Sequence, residues 1–209
     1  MKHIGILGGT FNPLHLGHLF IGRAAAEAFE LDSVLLTPCS VSPFKCGAPG
    51  LAPGADRLEM VRLSVVGDPL FEPCALELER GGISYAIDTV KTLRERRPRD
   101  RFSFIVGMDA LRELCHWHKI NELLTLCDFI TVARPGVDMP ITAEALAFSD
   151  EVRARLLDKV IQGRLCDISS SEIRRRIAEG RSIRYLVCPA VERYIQNGGL
   201  YAATGKKKE

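Results

Sequence analysis

At 209 residues the chain can form one large α/β unit with a small appended one, and it can bury a core without cross-links. Its 46% hydrophobic and 26% charged residues exclude a chain disordered throughout, and a formal net charge of +2 confines any anion-attracting field to a local site, which argues against a nucleic-acid surface. Seven cysteines without a CxxC pair exclude complete intramolecular pairing and point to reduced thiols over a zinc cluster.

The opening apolar run is too short for a signal peptide, and no later run approaches a membrane span, so the chain is expected in the cytoplasm with no membrane partner. Residues 2–7 predict a buried strand. After a Gly-rich turn, Leu16, Leu19, Phe20, Ala24 and Ala28 recur at helical spacing, with Arg23, Glu27 and Glu30 left for solvent. Residues 33–37 predict a second strand, and the Pro-, Gly- and Ser-rich stretch 38–54 a long loop. A helix over 55–66, a short strand near Leu76, a helix over 85–96 and strands over 101–106 and 129–133 follow. Residues 139–162 read as a helical surface insertion, and from Ile168 short helices follow, one capped by a serine run. This alternation is that of βαβ units, so the expected fold class is α/β: a Rossmann-like doubly wound parallel sheet over 1–165, a C-terminal helical portion over 166–203 and a polar tail over 204–209.

Chemistry concentrates after the first strand. Gly8 and Gly9 let backbone N–H groups approach an anion, and the helix that follows turns its positive end toward phosphate. Without a ligand the same pair is merely a tight strand-to-helix turn. Thr10 adds a hydroxyl, and His15 and His18, three apart where the helix begins, face one side, which packing alone explains poorly. The segment lacks the third glycine of a dinucleotide fingerprint and the GK[ST] of a Walker A loop.

The run Gly8-Gly9-Thr10-Phe11-Asn12-Pro13-Leu14-His15-Leu16-Gly17-His18 instead resembles the T/HxGH signature of the nucleotidyltransferase superfamily, in the longer form of bacterial nicotinate mononucleotide adenylyltransferases. Later segments resemble that family in the same order: Ser40 to Lys45 its proline-bearing loop, Arg57 to Met60 its RxxM helix, Ser84-Tyr85 its SYT segment, and Gly107-Met108-Asp109 its GxD strand end. Trp117, the Arg134-Pro135-Gly136 turn and Ile168 to Arg174, similar to ISxTxIR, complete the series. Phe44 stands where the family commonly has histidine, and Ala86 replaces the threonine after Ser-Tyr; Asn12 and Ser171 depart while staying polar.

The resemblance implies adenylyl transfer from ATP to nicotinate mononucleotide, with Mg²⁺ held by ATP phosphates and water and no metal ligand in the chain. It implies that His15 and His18 are catalytic. Gly8, Gly9, Thr10, Lys45, Gly107, Asp109, Arg134, Ser169, Ser171 and Arg174 would contact ATP or its phosphates, and Phe11, Ser84, Tyr85 and Trp117 the mononucleotide. A monomer or a homodimer is compatible with this. The rivals are a sister transferase using nicotinamide mononucleotide, phosphopantetheine or a sugar phosphate, a non-catalytic nucleotide-binding module, and a nucleic-acid binder using Arg174 to Arg176.

Overall fold

In β1 (His3–Gly9) Ile4 and Ile6 point to one face and Leu7 to the other, and all three are buried, as suits a strand covered on both sides. The computed structural model describes residues 1–44, 50–133, 146–164 and 166–203. Among these, β1 is joined by β2 (Ser33–Pro38), β3 (Phe71–Pro73), β4 (Arg101–Gly107), β5 (Asp128–Ala133) and β6 (Val160–Gln162) in a parallel sheet of order β3-β2-β1-β4-β5-β6. The order reverses between β1 and β4, so a crevice opens at their C-terminal ends, where ligands of such sheets gather.

Helices cover both faces. α1 (Leu16–Phe29) and α2 (Gly54–Ser64) bring Ala25, Ala26 and Val61 against Val34, Leu36, Ile105 and Ile130. On the opposite face, α3 (Leu76–Arg80), α4 (Ala86–Arg96), α5 (Met108–Arg112), α6 (Ile120–Leu126) and α7 (Asp150–Leu157) bury Val90, Leu111, Leu123 and Leu156 against Phe104 and Phe129. Each such aliphatic side chain contributes roughly 1.5–3 kcal/mol on burial. Gly22 lets α1 approach closely, because a Cβ there would lie 2.7 Å from the Phe71 ring.

α8 (Ser170–Ala178) and α9 (Pro189–Gly198) pack on α2 through a third cluster, in which Ile173, Val191 and Ile195 surround the fully buried Met60. Ser169 caps α8 by accepting from the Glu172 N–H, and Gly199 ends α9 in the left-handed region at φ 60°.

Two expectations fail locally. The strand expected near Leu76 lies earlier, at β3, paired through Val34 and Phe71, while Leu76 opens the short α3. The expected helical insertion contains α7 but ends in β6, which pairs with β5 through Thr131 and Val160. No helix of the described residues is long and apolar enough to cross a membrane.

Candidate active site

The turn between β1 and α1 lies at the crevice where the sheet order reverses. Gly9 leaves room beneath it: a Cβ there would sit 3.0 Å from the Phe11 ring. Phe11 adopts φ 47° and turns its ring inward, 2% exposed, edge-on to His18 at 5.0 Å between centroids. The Phe11 ring, expected beside the mononucleotide, meets the His18 imidazole edge-on. The Asn12–Pro13 peptide bond is cis.

His15 is the extended N-cap residue of α1, and its N–H donates to Nδ1 of His18 at 3.2 Å. The two rings lie 3.8 Å apart at a 31° tilt. Because Nδ1 of His18 accepts, the neutral ring keeps its proton on Nε2. The sequence-predicted pair is thus one assembly at the positive end of α1, next to Gly8 and Gly9.

Four parts of the chain grip this turn. Arg57 of α2, only 2% exposed, donates to the carbonyls of Thr10 (2.8 Å), Cys39 (2.6 Å), Ser40 (3.3 Å) and Ala52 (3.1 Å). A buried guanidinium tolerates such a site only when its donors are spent. Asn12 reaches the end of the 38–54 loop, donating to Gly50 O and accepting from Ala52 N–H, both at 3.0 Å. From α8, Ser170 Oγ donates to Pro13 O at 2.8 Å, and Arg174 donates to Asn12 O at 2.8 Å and Ser171 Oγ at 3.3 Å. Beyond α8, Leu186 O accepts the Leu16 N–H at 3.1 Å, and Tyr201 donates its hydroxyl to Asn12 Oδ1 at 2.7 Å. Burial pushes the Tyr201 phenol far above its ordinary range.

A cavity of about 620 Å³ opens beside the turn. Gly8, Gly9 and Thr10 form one wall, and Ser84, Tyr85 and Trp117 are brought to the others. Trp117 follows a 3₁₀ turn, Leu114–His116, and stands edge-on to Phe104 and Phe129 at 5.6 and 6.0 Å, which leaves it half-buried at the cavity. His118 stacks on Tyr85 at 4.3 Å, and His116 pairs with Glu113 at 3.1 Å.

Glu77, 5% exposed, lies in the cavity wall with its Oε1 accepting from Thr89 at 2.7 Å. Burial pushes its carboxyl up, opposed by the hydrogen bonds of Thr89 and Ser84. Ser84 Oγ also accepts the Ser40 N–H at 2.9 Å, so this hydroxyl joins two loops. In the same wall, burial raises the Cys39 thiol beside Thr10.

On the other side of the turn, His15 and Gly17 meet Ala133, Gly163, Cys166 and Ile168 in a narrow cleft. Gly107 ends β4 and Asp109 is exposed in the first turn of α5, at the same edge of the sheet. Of the expected α8 residues, Ser169 is occupied as the cap, Ser171 meets Arg174, and Ser170, not singled out from sequence, touches the turn. Lys45 and Arg134 lie outside the described residues, as does the 204–209 tail. Glu77, His116, His118 and Tyr201 were missed, and Arg57 was noted only as part of the RxxM segment and given no role; the histidines flanking Trp117 carried a legible signal, whereas Glu77 and Tyr201 did not.

A family model described as cytidylyltransferase-like matches residues 6–176. A probable nicotinate-nucleotide adenylyltransferase of Pelobacter propionicus is 43% identical, covering 95% of this chain and 98% of the relative. Another of Desulfitobacterium hafniense is 40% identical, with 96% of each covered. Among solved structures, the Plasmodium falciparum nicotinic acid mononucleotide adenylyltransferase complexed with NaAD shares the fold with TM-score 0.73 at 20% identity, covering 96% of this chain and 98% of that one. The matched segment spans the turn, the cavity and most of α8, and with these relatives it establishes that the chain belongs to the cytidylyltransferase-like family, among the nicotinate-nucleotide adenylyltransferases.

Proposed function

We propose that this chain transfers the adenylyl group of ATP to nicotinate mononucleotide, releasing pyrophosphate and forming nicotinate adenine dinucleotide. The observation that carries this reading is the locked His15–His18 pair at the α1 terminus, on the same turn whose Gly8, Gly9 and Thr10 wall the cavity lined by Trp117 and Tyr85. An oxygen of the mononucleotide 5′-phosphate attacks the α-phosphorus, and the bond from that phosphorus to the bridging oxygen of the pyrophosphate breaks. No side-chain nucleophile is needed, so the protein's work is alignment and charge stabilisation.

His18 donates from Nε2 and His15 stands beside it; Gly8, Gly9 and Thr10 line the phosphate path. Arg174, with Lys45, takes the leaving pyrophosphate, and the α8 start with Ser169 and Ser171 assists. Gly107 and Asp109 serve the ribose, and Arg134 the ATP side. The mononucleotide occupies the large cavity, its ring on Trp117, with Ser84 and Tyr85 beside it.

Mg²⁺ fits this site as an ion carried in on the triphosphate. The groups around the turn are amides, hydroxyls, imidazoles and the guanidiniums of Arg57 and Arg174, which donate hydrogen bonds and leave phosphate oxygens and water to hold the metal. When bound, it draws charge from the departing pyrophosphate.

The test is pyrophosphate release from ATP and Mg²⁺ with nicotinate and nicotinamide mononucleotides side by side. Faster release with the nicotinate form is expected. A strong preference for the amide overturns the substrate assignment, and no release with either overturns the reaction.

A further inference from the structure

Among the grips on the catalytic turn, one comes from the far end of the chain. The Tyr201 hydroxyl meets Asn12 Oδ1, an oxygen that also accepts the Ala52 N–H while Nδ2 donates to Gly50 O. Partners of both kinds fix the amide's orientation, and Tyr201 fills its remaining acceptor position. The backbone at Tyr201 adopts φ 64°, a region that tyrosine seldom occupies and that persists only where the surrounding structure holds it.

Tyr201 is absent from the described residues lining either cleft, so its route to the chemistry is through Asn12. Asn12 stands between Phe11, whose ring props His18, and the Pro13-Leu14-His15 segment. The neighbouring grip is Arg174 on Asn12 O, and on the reading above the same guanidinium takes the leaving pyrophosphate. Among the described contacts, the Tyr201 hydroxyl is then the grip on Asn12 from the C-terminal portion that has no substrate role in that reading.

We propose that Tyr201 is a positioning residue for adenylyl transfer, its hydroxyl holding Asn12 and thereby the turn that aims His15 and His18. The proposal rests on the reading of the site given above. It predicts an effect after both substrates are bound, in turnover more than in substrate affinity.

The test uses the full chain, comparing Tyr201→Phe with Tyr194→Phe. Tyr194 belongs to the same C-terminal portion, but its hydroxyl meets Asp56 of α2 at 2.7 Å and so does not touch the turn. Tyr201→Phe is expected to lower kcat roughly three- to tenfold, as for one lost hydrogen bond, with both KM values within about twofold of the parent. Tyr194→Phe is expected to lower Tm while leaving kcat and both KM values unchanged. Parental kcat in Tyr201→Phe, or kcat losses in both variants that follow their Tm losses, overturns the role of Tyr201 alone. A parent chain that releases no pyrophosphate overturns the adenylyl-transfer reading together with it.

Discussion

With Nδ1 of His18 accepting the His15 amide, the donor left for phosphate is Nε2–H, and the Phe11 ring below stops the imidazole from tipping away. We expect His18→Ala to lower kcat roughly 10²- to 10³-fold with much smaller changes in KM, as for one donor aimed at charge that builds in the transition state. Steady-state kinetics on a variant whose circular dichroism matches the parent decides it; near-parental turnover sinks the assignment. At this scale, glycines and paired histidines at a strand-to-helix junction were legible because their spacing alone brings them together. The burial of Glu77 and Arg57 was not: in Leu-Glu-Leu-Glu-Arg the glutamate has no neighbour that marks it, and Arg57 stood out only through the RxxM resemblance. Their burial depends on residues such as Thr89 and Thr10, 12 and 47 positions away.

Among elements, α2 works in two directions: Met60 anchors the C-terminal helices and Arg57 ties the catalytic turn to the segments around Cys39 and Ala52. A lysine at 57 keeps the charge but offers a single ammonium where a planar fork serves four carbonyls. We expect Arg57→Lys to cost about 2–4 kcal/mol through carbonyls left unpaired, read as a lower urea midpoint at unchanged slope. An unchanged midpoint shows that water replaces the fork. The long elements announced themselves by period, since both sheet faces are buried and α1 carries small residues toward the sheet. β3 and β6 did not, because three residues give no period to read, and their pairing with β2 and β5 is decided by the neighbouring strand.

The whole molecule has a second edge, opposite the crevice, where the chain ends of the sheet collect charge. His3 accepts from Arg101 at Nδ1 (3.3 Å), so its neutral form holds the proton on Nε2, toward Ser103 Oγ (2.8 Å). Burial, then Arg101 and Lys159, lower its pKa from the ordinary 6.5. The unfolded chain therefore takes up this proton first: the contribution of His3 to stability is complete above about 6.5 and is lost as pH falls from there through the folded value. Urea titrations between about pH 7.5 and 5 should show a shallower loss for His3→Gln than for the parent; parallel curves exclude His3 as the source. Finally, the turn at residues 10–18 emerges early from the ribosome, yet Ser170, Arg174, Leu186 and Tyr201 follow some 160 to 190 positions later. A nascent chain can close its sheet before the last grips on its catalytic turn exist, so full competence arrives late, and a protease trimming past Tyr201 would slow the enzyme before unfolding it.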